Sequence, residues 1–575
     1  MIVGVRKIVL ICSSVLFSCF AFSQAVKNKQ FANPLAIPPL LSANFGELRP
    51  NHFHAGLDYK TEGVEGKPVF AIDSGYVSRI MIRPVGYGNA LYITHSSGYV
   101  SVYAHLQSFS PEITSYITHY QLQNKMHSVD VAIEPHVLLV QRGQEIAKSG
   151  NSGSSGGPHV HFEIRNKNGD VAYNPFLFYP TILDKTQPRI TSLFVYPLDS
   201  LSFVNGFEKK QQFSVRQISP GVYKIPEKIR VKGSIGMGIR ANDYMHNVHN
   251  IFGVYSVELR CNNELLYARK IDSVSFYETN DINSLLDYEA FILNKQYIEK
   301  LYVEPNNSLS FYSEKNNGLY IKSQDKLKEC VVTLADFHGN VSTLDFSLVY
   351  DTDSLLSVNK ERATITNSYQ QAFSCEKDGF LFQADSLSFY KDFSFHCTVD
   401  SSFYKHEFSL RYSVKSSELC MKKNARISIQ TSIPDSLHTK ALVRVKVPNG
   451  GVFMIQPVIT SDGMAHFETK RIGEYSVIID TVAPYISKPN FSNGDNLSNA
   501  RSIQYTISDK LSGIDSYYAY IDNQWCILLY DAKNARITLD FSKVPLQFQN
   551  TLHTLTLVVV DMCGNETKKQ YSFYK

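Results

Sequence analysis

Three short stretches place side chains that can do chemistry close together in the first third of the chain. They are His54-Ala55-Gly56-Leu57-Asp58, Tyr103-Ala104-His105-Leu106 and Gly157-Pro158-His159-Val160-His161-Phe162-Glu163. The third carries the most information. In a strand, residues two apart share a face, so His159 and His161 project together while Val160, Phe162 and Ile164 face an apolar interior. Catalytic zinc takes neutral imidazole nitrogen and carboxylate oxygen, and keeps three protein ligands with one position open for water. His54 and Asp58 offer one nitrogen and one oxygen across Gly56, and one histidine of the His159/His161 pair completes three. The other is then left beside the metal, as is His105. His52 would share a face with His54 and is a rival ligand, but the His-to-Asp spacing and the following Gly56 favour His54. Glu163 shares the face of the two histidines and would serve either to orient a ligand or as a surface carboxylate.

These motifs resemble the M23 family of zinc peptidases, also called the lysostaphin or LytM family, with its H-x-x-x-D, x-H-L and H-x-H signatures. Supporting stretches are also similar: Phe45-Gly46-Glu47-Leu48-Arg49, Gly86-Tyr87-Gly88-Asn89 with His95, and Gly150-Asn151-Ser152-Gly153. The similarity covers about residues 40–170. It implies one zinc ion held by His54, Asp58 and His161, with His105 and His159 as the catalytic histidines. It further implies a zinc metalloendopeptidase acting on peptidoglycan peptides. Several family members that cut glycine bridges carry a tyrosine six residues before the first ligand; here Leu48 stands there, with Arg49 beside it. Cleavage within stem peptides or their cross-links is therefore expected over glycine bridges. Arg49 is read as a substitute electrophile or substrate clamp, against a structural salt bridge. Two other readings stand beside this one: a non-catalytic wall-binding or amidase-activating factor on the same fold, and a peptidase against glycine-rich proteins or rival cell walls.

The elements that must position these residues read as mainly β. Aromatics are abundant, with 35 Tyr and 35 Phe against one Trp, and such residues suit pleated, half-buried surfaces. Segments such as 68–72, 90–94, 99–103 and 159–164 alternate as strands between Gly-containing turns. The predicted catalytic unit, residues 33–179, is an antiparallel β-sheet domain with a helical insertion at 111–135, opened by Ser110 as N-cap and Pro111 at the first helical position. That insertion is expected either to wall one side of the substrate groove or to pack on the surface, and its His119, His127 and His136 to be solvated.

At 575 residues the chain is too long for one core. A repeat divides the remainder: Asp184 to Ile190 is similar to Asp480 to Ile486, and Asp336-Phe337-His338-Gly339-Asn340 to Asp561-Met562-Cys563-Gly564-Asn565. These brackets enclose two Ig-like β-sandwich units, 184–350 and 481–575, with a further β domain at 356–480 that has no bracket. The D-x-x-G-N boxes are read as structural turns. The Ig-like units are expected to act as spacers or as docking surfaces for wall or envelope proteins.

Residues 1–23 read as an export signal: Arg6 and Lys7, an apolar run from Ile8 to Phe22, and small residues Ala21 and Ser23 before a cleavage point. Leu16-Phe17-Ser18-Cys19 resembles a lipoprotein box only faintly. With no later apolar run long enough to span a bilayer, the mature protein is expected to lack a transmembrane helix and to act in the periplasm or outside the cell. The net charge of +4, from 57 basic and 53 acidic residues, is too diffuse to favour nucleic acid. Seven cysteines lie outside the signal, all at or beyond Cys261, without CxxC spacing, so neither a disulfide framework nor a thiolate metal site is expected.

Overall fold

A computed structural model describes residues 31–179, 182–325, 327–352, 367–402, 406–415, 419–544 and 551–575. The export signal expected at 1–23 lies outside them. The described chain is mainly β, in successive sheets whose strands pair mostly antiparallel.

The first unit is built on strands β1 (Leu41–Ala43), β2 (Leu57–Lys60), β3 (Gly75–Ile82), β4 (Asn89–His95), β5 (Val100–Ala104), β6 (Val129–Ala132) and β7 (His159–Arg165). Their order across the sheet is β1-β2-β7-β5-β4-β3-β6, every neighbouring pair antiparallel. β7 is paired on both sides, with His161 opposite Asp58 of β2 and Ala104 of β5. Its alternation has the physical consequence expected of period two: Val160, Phe162 and Ile164 are completely buried in the core, and His159, His161 and Glu163 take the opposite face. A small second sheet, Pro68–Phe70, Glu145–Lys148 and Ser108–Phe109, contributes Val69, Ile146 and Ala147 to the same core.

Helix α1 (Pro111–Asn124) begins with Pro111 at its first position, and Ser110 at the N-cap makes no side-chain capping bond. It buries Ile113, Ile117 and Gln121, one residue per turn along one face, and stops where Lys125 takes the left-handed conformation.

The boundary after residue 179 is not a boundary in packing. Phe252, Ile271, Val274, Ile282, Leu285 and Leu309 belong to the same core as β2 and β7. Strand Ser273–Ser275 pairs with Val171–Tyr173, which itself pairs with β7, so the sheet of the first unit continues into the second. That unit otherwise has its own core around the long strand Val222–Asn242. Residues 367–480 form two five-stranded sheets over a third core. In 481–575 a four-stranded and a five-stranded sheet enclose a fourth. The repeated brackets form equivalent turns. Asn340 donates through its side chain to Asp336 and to the Asp184 carbonyl, as Asn565 does to Asp561 and the Asp480 carbonyl.

One disulfide departs from the sequence reading. Cys261 and Cys330 are partners in the register of adjacent strands and are bonded. They are 69 residues apart in sequence, so the pairing follows from strand register and not from any local spacing. Cys375, Cys397, Cys420, Cys526 and Cys563 are free.

Gly56 is required by proximity. A Cβ there would lie 2.3 Å from the Phe162 carbonyl oxygen of β7, and the backbone oxygen of a central strand has no room to retreat. Gly56→Ala is expected to cost about 1–3 kcal/mol, the usual range for overpacking a tight interior. A lowered urea midpoint for unfolding of the first unit is the measurement; an unchanged midpoint would contradict this packing.

Candidate metal centre and groove

The cross-strand register of β2 and β7 sets Asp58 directly opposite His161. His54 is brought to them by the turn before β2, where its backbone pairs with Gly46 and Glu47. His54 Nε2 lies 3.0 Å from Asp58 Oδ1 and 3.0 Å from His161 Nδ1, and His161 Nδ1 lies 2.9 Å from Asp58 Oδ1. All three residues are buried. These mutual distances fall slightly short of the edge of a tetrahedron around a metal with bonds of about 2.0–2.1 Å, about 3.3 Å, so a small outward shift would admit an ion. This group could hold a metal ion.

The outward ring nitrogens are engaged so that the inward ones keep their lone pairs. His54 Nδ1 donates to the Asn44 carbonyl at 2.7 Å, and His161 Nε2 donates to Glu163 Oε1 at 2.7 Å. Partners of this kind fix ring orientation and tautomer in metal sites. Glu163 is completely buried and is itself held by Arg165 Nε at 2.5 Å and the Tyr87 hydroxyl at 2.6 Å. Burial would raise its carboxyl pKa, yet the Arg165 guanidinium and His161 hold it well below the usual carboxylate range. Asp58 is likewise held low against its burial by His54 and His161. Burial opposes a charge on His161, but its contacts with Asp58 and Glu163 push it up to about 9. The two carboxylates at its ring nitrogens thus favour positive charge at His161, whether a proton or a metal ion in its place.

His105 and His159 stand beside this group. Their rings are 4.8 Å apart, centroid to centroid, and His105 is 6.0 Å from His161. His159 Nε2 lies 3.6 Å from Asp58 Oδ1. His105 follows β5 with φ of 60°, a left-handed conformation that costs a non-glycine residue energy and recurs at functional sites. Its Nδ1 donates to the Ser152 carbonyl at 2.9 Å. His159 Nδ1 lies 2.8 Å from the Gly157 carbonyl and 3.1 Å from Ser155 Oγ. Burial, with His161 and His159 nearby, pushes His105 down to about 3, and burial lowers His159 as well. Both are neutral at neutral pH, with Nε2 free to accept a proton.

All five residues border one groove of about 1430 Å³. Leu40, Arg49 and Tyr87 line it, and Phe276 and Thr279 reach it from the second unit. No residue of the 111–135 insertion lines it among the described residues. Arg49 sits 3.1 Å from Glu47 and 4.0 Å from the second oxygen of Asp58, with its side chain about a third exposed. It therefore makes a salt bridge and borders the groove as well.

His52 is exposed on the hairpin Leu48–Arg49/His52–Phe53, bonded to the Pro50 carbonyl, outside the cluster. His95 is buried against Ser101 and Ser74 in a structural role. His119 and His136 are exposed. His127 is not solvated as expected: it is stacked between Tyr517 and Trp525 of the last unit. Sequence reasoning had no means to find Ser155 or the Asn44 and Ser152 carbonyls as partners of the histidines. Tyr87 stood in a noted glycine-rich stretch, but its bond to Glu163 depends on the fold.

Glu163→Gln is expected to weaken zinc binding about 10–100-fold, the usual cost of losing such a supporting carboxylate. Competition with a chromophoric chelator measures it. Unchanged affinity would deny Glu163 a part in orienting His161.

Residues 52–139 and 114–175 match the model of peptidase family M23, and residues 364–480 match that of a Zu5-like domain. The latter covers the β unit that carried no bracket. The chain is 34% identical over 112 residues to the DD-carboxypeptidase/endopeptidase Mpg of Neisseria meningitidis, a match covering 20% of this chain and 20% of that protein. It is 34% identical over 118 residues to the peptidoglycan DD-endopeptidase ShyB of Vibrio cholerae, covering 20% of this chain and 22% of that one. It is 30% identical over 118 residues to the lipoprotein NlpD of Yersinia enterocolitica, covering 20% of this chain and 95% of that one. The chain thus spans about a fifth of the length of the first two relatives and nearly all of the third. With the matched segment enclosing the whole cluster from His54 to His161, the chain belongs to peptidase family M23.

Proposed function

We propose that this protein is a zinc-dependent endopeptidase that hydrolyses peptide bonds in peptidoglycan stem peptides or cross-links, outside the cytoplasm. The observation that carries the reading is the meeting of His54 Nε2, Asp58 Oδ1 and His161 Nδ1 within 3.0 Å, with two neutral imidazoles beside them.

In this reading His54, Asp58 and His161 hold the zinc. Zinc bound there supplies Lewis acidity toward the scissile carbonyl and makes water acidic enough to deprotonate near neutral pH. The chain's own residues do the rest. His105 and His159 are the proton-transfer pair: with Nδ1 donating to backbone carbonyls, Nε2 can take the proton of the attacking water and return it to the leaving amine. The same imidazole, once protonated, stabilises the oxyanion formed at the carbonyl. Arg49, at the groove edge, offers a planar guanidinium to a substrate carboxylate or to that oxyanion. The groove wall at Phe276 and Thr279 comes from outside the matched family segment.

Peptidoglycan is supported by the names of Mpg and ShyB, each an endopeptidase, the second of peptidoglycan. An envelope location is supported by the N-terminal signal pattern, by NlpD being a lipoprotein, and by the Cys261–Cys330 disulfide, a bond typical of oxidising compartments. No helix among the described residues is long and apolar enough to cross a membrane. The Ig-like units serve in this reading as spacers or as docking surfaces for wall or envelope proteins.

Wild-type protein is expected to carry one zinc and to release amines from purified sacculi. His161→Ala should lose both, whereas His105→Ala and His159→Ala should keep zinc and lose about 10²–10⁴-fold in kcat. Full activity in His161→Ala would overturn the reading. Mass spectrometry of products from defined muropeptides and from oligoglycine separates stem-peptide cleavage from glycine-bridge cleavage.

A further inference from the structure

The loop Ser149–Gly157 carries the bonds that orient both spare histidines: the Ser152 carbonyl receives His105 Nδ1, and Ser155 Oγ and the Gly157 carbonyl face His159 Nδ1. A run of nine residues with four glycines and four serines has little conformational preference of its own, so its shape depends on what grips it. On its inner side the grip is local. Ser152 Oγ bonds Leu106 and Asn89, and Ser154 bonds Gly86.

On its outer side the grip comes from the other end of the chain. Lys533, in the short helical turn Ala532–Asn534, donates through Nζ to the Asn151 carbonyl, to Asn151 Oδ1 at 3.2 Å and to the Ser155 carbonyl at 3.0 Å. Three ammonium protons meet three acceptors on the two flanks of Ser152. A second anchor holds the last unit in place. The His127 ring, just beyond α1, stacks between Tyr517 at 5.1 Å and Trp525 at 4.6 Å, within 12° and 18° of parallel. Its Nδ1 accepts the Leu528 backbone N–H at 3.0 Å, as a neutral imidazole can; burial keeps it so. Trp525 is the single tryptophan of the chain. The docked unit does not close the site, since none of the described residues lining the groove comes from 481–575.

We propose that the C-terminal unit 481–575 is a working part of the catalytic centre, with Lys533 as a positioning residue that pins the 151–155 segment and thereby orients His105 and His159. This rests on the reading of those histidines as the proton-transfer pair. Lys533 belongs neither to the ligand cluster nor to the groove lining, which it meets only through the backbone of Ser155, so its loss should leave zinc binding intact and act mainly on the chemical step. Because its side chain remains exposed to water, its bonds are of modest strength and the effect is graded.

The test uses full-length, zinc-loaded protein with Lys533→Met, which keeps the apolar stem and removes the donors, and Lys533→Arg, which restores donors. Hydrogen exchange at the amides of 150–157 is expected to quicken about tenfold in Lys533→Met. Its kcat on a muropeptide should fall about tenfold with KM and zinc content unchanged, and Lys533→Arg should recover part of both. His127→Ala, which removes the second anchor, should quicken exchange in the same loop. Unchanged exchange in Lys533→Met overturns the proposal, and so does faster exchange with wild-type kcat, which would make the contact one of docking alone. If wild-type protein cleaves no peptide, the peptidase reading fails, while the exchange measurement still decides whether Lys533 holds the loop.

Discussion

The double pairing of strand β7 is the constraint from which the site follows. Held by β2 on one edge and β5 on the other, it cannot slide. In a β-strand a slip of one residue exchanges the two faces. Such a slip here would turn His159, His161 and Glu163 into the apolar core and move Val160, Phe162 and Ile164, all completely buried in it at present, to the polar face of the site. The hydrophobic cost of that exchange, about 1.5–3 kcal/mol for each large side chain, locks the register. The locked register in turn sets Asp58 across from His161 and ends β5 so that His105 turns back toward them. The metal-ligating geometry is thus a by-product of core packing, and Gly56 is the residue that lets the two strands approach closely enough.

Around this frame the charges form a chain of dependence. His161 relies on Glu163, and Glu163 relies on Arg165 and Tyr87. Arg165 in turn lies under the ring of Phe276, 4.2 Å from its centroid, a residue of the second unit. A buried carboxylate without its partners would be costly, so the support must be complete before the ligand is oriented. The second unit also reaches this region through Thr279, whose hydroxyl accepts the Phe53 backbone N–H next to His54, and it supplies part of the common core. The last unit adds Lys533 and the aromatic clamp on His127. The segment that carries the candidate metal centre therefore has partners from two distant parts of the chain.

What the sequence by itself determined is the set of metal-binding residue types and the strand that presents two of them. The spacing of His54 and Asp58, the two-residue repeat of His159 and His161, and the apolar residues between them are local facts, and local periodicity is enough to say which side chains share a face. The helix at Pro111, the bracketed repeat and the β-rich character were legible for the same reason. Only the tertiary structure decided the rest: why Glu163 is a buried support and not a surface carboxylate, that Cys261 and Cys330 meet, that His127 is stacked and not solvated, and that the core runs past residue 179 into the second unit. Each of these depends on a register or a contact between residues tens to hundreds of positions apart, and pairing at that range is selected by the whole core at once, leaving no mark in any short stretch of sequence.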